Sequence, residues 1–155
     1  MLGVVTQPAL GLIWRGIIGR GAEKLEFAGH KASAPQAIKT RKPPDDEVVV
    51  VVSRSHLEAR TQAYLDRLRK VRRISSGSSI KFCRLAEGAA DLYPRLAPTH
   101  DWDIAAGHAI LVAAGGCVVA PDGSALTYGT RELLIPAFIA WGGQTPPAWA
   151  PQADS

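Results

Sequence analysis

Five consecutive valines, Val48 to Val52, constrain what this chain can fold into more than any other feature. Valine is stiff at χ1 and favours extended backbone, and a strand with no polar alternation has no face to give to water. The run from Glu47 to Val52 is therefore expected to be a strand buried on both faces, covered by helices above and below. It falls far short of the ~18 consecutive apolar residues that a membrane-spanning helix needs, and it ends at Ser53 and Arg54. The flanking patterns suit such a sheet. Leu57, Tyr64, Leu65 and Leu68 recur at near-helical spacing, Val71 to Ile74 reads as a short strand, Ser78 to Glu87 as a helix and Ala90 to Tyr93 as a strand. His100 to Ala114 is Ala-rich and helical, stopped by Gly115-Gly116, and Cys117 to Ala120 and Phe138 to Trp141 read as strands. At the N-terminus, Leu2 to Val5 and Leu12 to Ile18 flank a Pro and Gly turn, a hairpin signal. The expected fold class is α/β (α+β layered), with strands buried by helices.

The chain has 155 residues, which suits one domain of ordinary size. Residues 1–143 are expected to form that unit, with a surface linker at 29–46 and a flexible tail at 144–155 that carries three prolines and no apolar period. A hydrophobic share of 46% against 21% charged excludes a chain disordered throughout. Eighteen Lys and Arg against fourteen Asp and Glu leave a net charge of +4, which favours anionic partners. Lys39, Arg41 and Lys42 lie in a Pro-rich loop. Arg67, Arg69, Lys70, Arg72 and Arg73 are expected to close a helix, where cations complement the dipole. That cluster reads as a solvated face, and no DNA or RNA polymer is expected as a partner. Met1 to Leu12 lacks the basic and long apolar regions of a secretory signal, so the expected compartment is the cytoplasm, with peripheral attachment at the inner membrane left open. Cys83 and Cys117 read as buried, unpaired thiols without zinc spacing, which leaves oxygen as the ligand for any metal.

Three segments carry the chemistry. In Pro98-Thr99-His100-Asp101-Trp102-Asp103 a carboxylate opens a helix whose next turn is Ala105-Ala106-Gly107. Asp103 can offer oxygen to a hard divalent cation beside a phosphate, or Asp101 and Asp103 cap the helix. Ser53-Arg54-Ser55-His56 follows the buried strand, where open α/β sheets place ligand-binding loops, or Ser53 caps the next helix. Ser75-Ser76-Gly77-Ser78-Ser79-Ile80-Lys81 lets backbone and hydroxyls approach an anion, with Lys81 as a point charge, though Ser-rich turns also cap helices. Arg95 is expected in an ion pair with Asp91 or Asp101, or on phosphate. His100 reads as a surface residue, His108 as a satisfied histidine, and Trp102 as core rather than a shelf for a base. Asp122-Gly123 reads as a turn between strands.

These segments together resemble the inositol monophosphatase superfamily and, within it, the 3′(2′),5′-bisphosphate nucleotidases. Trp102-Asp103-Ile104-Ala105-Ala106-Gly107 resembles the superfamily's signature Trp-Asp-x-Ala-Ala-Gly. Gly77-Ser78-Ser79-Ile80-Lys81-Phe82-Cys83, Ala86-Glu87-Gly88, Leu92-Tyr93-Pro94-Arg95 and Ser53-Arg54-Ser55-His56 are similar to the nucleotidase branch. The resemblance runs from Leu2 to about Trp141 and corresponds to the C-terminal half of the usual family length. It implies a Mg²⁺-dependent phosphatase that removes the 3′-phosphate of adenosine 3′,5′-bisphosphate. Asp103 would be a metal ligand, and Ser53, His56, Gly77 and Lys81 would surround the nucleotide.

The family holds two or three Mg²⁺ ions with a helical Glu and an Asp-Pro-x-Asp-Gly-Thr type motif, and this sequence contains neither. One carboxylate does not hold two such ions, each of which takes several oxygen ligands. The expectation is a substrate-binding half that is inactive alone and needs its missing N-terminal half or a partner chain. An inositol or sugar phosphate phosphatase and a non-catalytic anion-binding module are the alternatives.

Overall fold

The chain opens with β1 (Leu2–Gln7) and β2 (Leu12–Ile17), the expected antiparallel hairpin, joined through one 3-10 turn at Pro8–Leu10. β3 (Gly21–Ala28) returns along β2, and two short strands, β4 (Lys31–Ala32) and β5 (Gln36–Ile38), pair with β3. Then follow β6 (Val48–Val52), α1 (Ala59–Asp66), β7 (Val71–Ser75), α2 (Ile80–Ala86), β8 (Leu92–Arg95), β9 (Thr99–His100), α3 (Asp101–Ala113), β10 (Cys117–Val119), β11 (Leu134–Ile135) and β12 (Phe138–Trp141). The structure is a computed structural model that describes residues 1–29, 31–53 and 57–151.

The first sheet holds β1 to β5. The second has the order β10-β12-β8-β6-β7, and β9 pairs with β11 alone. Within the second sheet, the valine strand behaves as its composition requires. Val49 and Val51 pack with Phe82, Cys83, Ile110 and Leu111, while Val48 and Val50 pack with Tyr64, Leu65 and Leu68 of the α1 region. The layers are thus sheet, helix pair α2 and α3, sheet, and α1, a mixed α/β fold. Pro94 is accommodated in the middle of this sheet because β8 meets β6 only at Val50↔Leu92, so the missing N–H breaks no further ladder on that side.

Small residues set how closely the layers approach. Gly3 and Gly16 are cross-strand partners on the face of the first sheet that meets α3. A Cβ on Gly3 would lie 2.1 Å from the Ala106 carbonyl oxygen, and one on Gly16 would lie 2.9 Å from the Ala113 Cβ. Gly107 does the same toward α2, where a Cβ would sit 2.5 Å from the Phe82 ring. Phe82 in turn stacks on Phe138 at 5.4 Å and meets Tyr93 edge-on at 5.1 Å. Polar ties cross the same layers. The Glu87 carboxylate accepts from Trp14 Nε1, Lys24 Nζ and Arg84, linking the first sheet to α2.

Several expectations change. The linker at 29–46 carries β4 and β5, and β3 was not visible in the sequence because Glu23, Lys24 and Glu26 mask its pattern. The strand expected at Ala90–Tyr93 lies two residues later, since Asp91 is fully buried as an acceptor for the Val49 N–H at 2.7 Å and for Arg41. Arg41 thereby takes the place expected for Arg95. Helix α1 begins at Ala59 under a Glu58 cap rather than at Ser53. Arg72 and Arg73 stand on β7, not on a helix. Part of the tail packs, with Trp149 edge-on to Trp141 and donating to Asp45 at 2.8 Å. Residues 152–155 lie outside the described residues. Both cysteines are free; Cys83 is buried and Cys117 half-buried.

The packing of Gly107 gives a direct test. Gly107→Ala should destabilise the chain by about 1 to 3 kcal/mol in urea unfolding, the usual cost of overpacking a filled core. Gly77→Ala, whose Cβ meets no described atom within 4 Å, should change stability by less than about 0.5 kcal/mol.

Candidate functional site

β6 runs parallel to both β7 and β8, so the C-terminal ends of all three open on one side of the sheet. Ligands of open α/β sheets bind at such ends. Ser53 follows β6, Ser76-Gly77-Ser78 follows β7, and Arg95 ends β8. With Lys81 of α2, Tyr93, Thr99 and Asp103 of α3, they line one cavity of about 370 Å³. The structure therefore brings together Ser53, Gly77, Lys81 and Asp103, four of the residues singled out in the sequence. His56 lies outside the described residues.

Lys81 is 3% exposed, with Nζ 5.0 Å above the centre of the Tyr93 ring. Its pKa is pushed down to about 8, first by burial and then by the charge of Arg95. Among the described residues no carboxylate pairs with Lys81. Arg95 donates to the Pro98 carbonyl at 3.0 Å, and its Nε is buried without a partner among the described residues. Two like charges that line one cavity, neither ion-paired with a described carboxylate, suit the binding of an anion, because burying a cation unpaired is costly. Ser78 adds a strained backbone at this point, with φ at +48°.

Asp103 stands in the first turn of α3. Its Oδ2 accepts from the Thr99 hydroxyl at 3.0 Å and from the His100 N–H at 3.4 Å, so the capping role is realised. Its Oδ1 has no hydrogen bond to a described residue, and the side chain is 53% exposed. Asp101 is committed elsewhere, accepting from the Gly129 N–H at 2.7 Å. The donor chemistry at Asp103 fits one ligand of a hard cation. The number of donors does not complete a site, since no group of three or more His, Cys, Asp or Glu that could hold a metal occurs among the described residues.

Trp102 corrects the sequence reading. It is 63% exposed and stacks on His100 at 4.4 Å with 8° between the rings. The buried face of α3 is formed by Ile104, Gly107, Ile110 and Leu111, and Trp102 is not on it. His108 is satisfied by the Tyr128 hydroxyl at 2.6 Å and, with its pKa lowered by burial, stands outside the cavity. Asp122-Gly123 is the expected turn, with Asp122 Oδ1 accepting from the Ser124 N–H at 2.9 Å. Thr99 had no sequence assignment, and Arg95 was read first as a structural pair. The signals for Arg95 are its place at the end of a strand and the segment Leu92-Tyr93-Pro94-Arg95, which resembles the nucleotidase branch.

Residues 1–151 match the profile of the inositol monophosphatase family. The 3′(2′),5′-bisphosphate nucleotidase CysQ of Escherichia coli K12 is 42% identical over 89% of this chain and 53% of its own length. The protein of the same name from Salmonella typhimurium is 43% identical with the same coverage. The crystal structure of CysQ from Bacteroides thetaiotaomicron superposes with a TM-score of 0.82 at 37% identity, covering 94% of this chain and 59% of that one. The chain spans about half the length of the curated relatives it matches.

The paired cations predict a pH-dependent anion affinity. Inorganic phosphate should raise the Tm at pH 7, and the increment should shrink as pH rises through about 8, where Lys81 loses its proton. Lys81→Met should remove that step. Without phosphate the sign reverses. The folded pKa lies below the ordinary 10.5, so the Lys81 contribution to stability improves from pH 8 toward 10.5. Thermal melts across this range, with and without phosphate, check both signs.

Proposed function

We propose that this chain, which belongs to the inositol monophosphatase family, is the substrate-binding half of a 3′(2′),5′-bisphosphate nucleotidase. The reaction would remove the 3′-phosphate of adenosine 3′,5′-bisphosphate to give AMP and phosphate, in the cytoplasm and in the service of sulfur metabolism. The observation that carries this reading is the convergence of Lys81 and Arg95, both without a carboxylate partner among the described residues, on the cavity that Asp103 borders. The names of the relatives that cover most of this chain support the substrate class, a 3′(2′),5′-bisphosphate nucleotide.

In this reading Lys81 and Arg95 hold a phosphate group, Ser53 and Gly77 line its approach, and His56 contacts the nucleoside. Lys81 needs its proton for this, and phosphate in the cavity favours the protonated form by supplying the missing counter-charge. Asp103 gives one oxygen to Mg²⁺. A bound divalent ion supplies such a phosphatase with neutralisation of phosphate charge and an activated water. The remaining carboxylates would come from the N-terminal part that the longer relatives carry, or from a partner chain. The first sheet offers a surface for it. β1 is an edge strand, and Leu2, Val4 and Ile17 stand exposed on the face turned away from α3. Unpaired edges and aliphatic faces of this kind bind other chains.

The test is reconstitution. The purified chain with excess Mg²⁺ should not hydrolyse adenosine 3′,5′-bisphosphate. Adding the N-terminal part of the E. coli relative should restore Mg²⁺-dependent phosphate release, and Asp103→Asn should abolish it. Turnover by the chain alone at an ordinary rate, about 1 to 10³ per second, would overturn the half-site reading. Phosphate binding without turnover in the reconstituted pair would favour an anion-binding module. In the active pair, Lys81→Ala should raise KM for the nucleotide about ten- to a hundred-fold, the loss of one charge-assisted hydrogen bond, and more than for a small aryl phosphate.

A further inference from the structure

Asp103 is half exposed, and an exposed carboxylate on a helix end is free to sample several rotamers. Two groups hold its Oδ2, the His100 N–H and, at the shorter distance, the Thr99 hydroxyl, and the second is the better anchored side chain. Thr99 is 4% exposed and held by backbone pairing of β9 with Ile135 of β11. Its side chain is β-branched and therefore stiff at χ1. An ionised carboxylate only accepts, so the Thr99 hydroxyl must donate to Oδ2, at 3.0 Å. Thr99 precedes the helix and this bond satisfies none of the free N–H groups of α3. The contact that caps α3 is the longer one from the His100 N–H at 3.4 Å. The threonine bond is thus directed at the carboxylate rather than at the helix, and it occupies one oxygen while the other has no hydrogen bond to a described residue.

We infer that Thr99 is a positioning residue, which locks the Asp103 carboxylate in one rotamer with Oδ2 engaged and Oδ1 available to a divalent cation at the cavity. The inference rests on the reading of Asp103 as a metal ligand. Partners of ligating carboxylates commonly set their orientation and basicity.

The experiment compares the wild-type chain with Thr99→Val, Thr99→Ser and Asp103→Asn, each verified as folded by near-ultraviolet circular dichroism. Proton couplings across Cα–Cβ of Asp103 report its χ1. Wild type and Thr99→Ser should show one rotamer, and Thr99→Val should show averaged couplings. Mn²⁺, used as the probe, should broaden resonances around residue 103 in wild type and Thr99→Ser, with about ten-fold more metal required in Thr99→Val, as for loss of an outer partner of a ligand. A merely structural role would lower the Tm of Thr99→Val and leave both readouts in place. A single rotamer in Thr99→Val, or an unchanged Mn²⁺ titration in that variant while Asp103→Asn loses the broadening, overturns the positioning role alone. Unchanged broadening in Asp103→Asn overturns the ligand reading itself.

Discussion

The distance between α3 and its neighbours governs the rest of this structure. On one side the helix lies against backbone, because Gly3 and Gly16 leave no side chain between β1, β2 and the Ala106 to Ala113 face. On the other, Gly107 seats the Phe82 ring. A helix with bulky residues at these places would stand further from both. Its first turn would then leave the cavity, and Asp103 with it. The signature Trp-Asp-x-Ala-Ala-Gly is in this light one device. Its carboxylate borders the cavity and its small residues place that carboxylate there.

Around this close-packed centre, the carboxylates drawn into the interior are engaged by several donors each. Asp91 is satisfied by Arg41 and a backbone N–H, and Glu87 by Trp14, Lys24 and Arg84. Lys81 and Arg95 break the pattern. Both line one cavity, and neither makes an ion pair with a carboxylate among the described residues. Uncompensated burial of this kind costs stability, and it is found where a ligand supplies the missing charge.

Much of this was legible in the sequence for identifiable reasons. A run of valines has one stable use, and the α2 and α3 segments carry apolar spacing that no strand shares. Lys81, Gly77, Ser53 and Asp103 stand out because each lies in a short segment of unusual composition, and the structure brings these four to one cavity. What stayed hidden depends on contacts distant in sequence. β3 is amphipathic only once Lys24 has met Glu87, 63 residues away. Trp102 was assigned to the core on hydrophobicity, but its position on the first turn of α3 turns it outward. Thr99 is an ordinary threonine until the corner between β9 and α3 brings its hydroxyl to Asp103.

The valine strand has one more consequence, which belongs to the time before the native state exists. Its parallel partners, β7 and β8, arrive only after the intervening helices have been made, and pairing across such loops is slow. In that interval five bare valines form the kind of segment that self-associates as cross-β. The chain places Asp45, Asp46 and Glu47 directly before them and Ser53 and Arg54 directly after. Charges in those positions act as gatekeepers, since stacking the strands of many chains in register would stack the like charges too. The acidic triplet is thus placed to guard the nascent chain against its own valine strand.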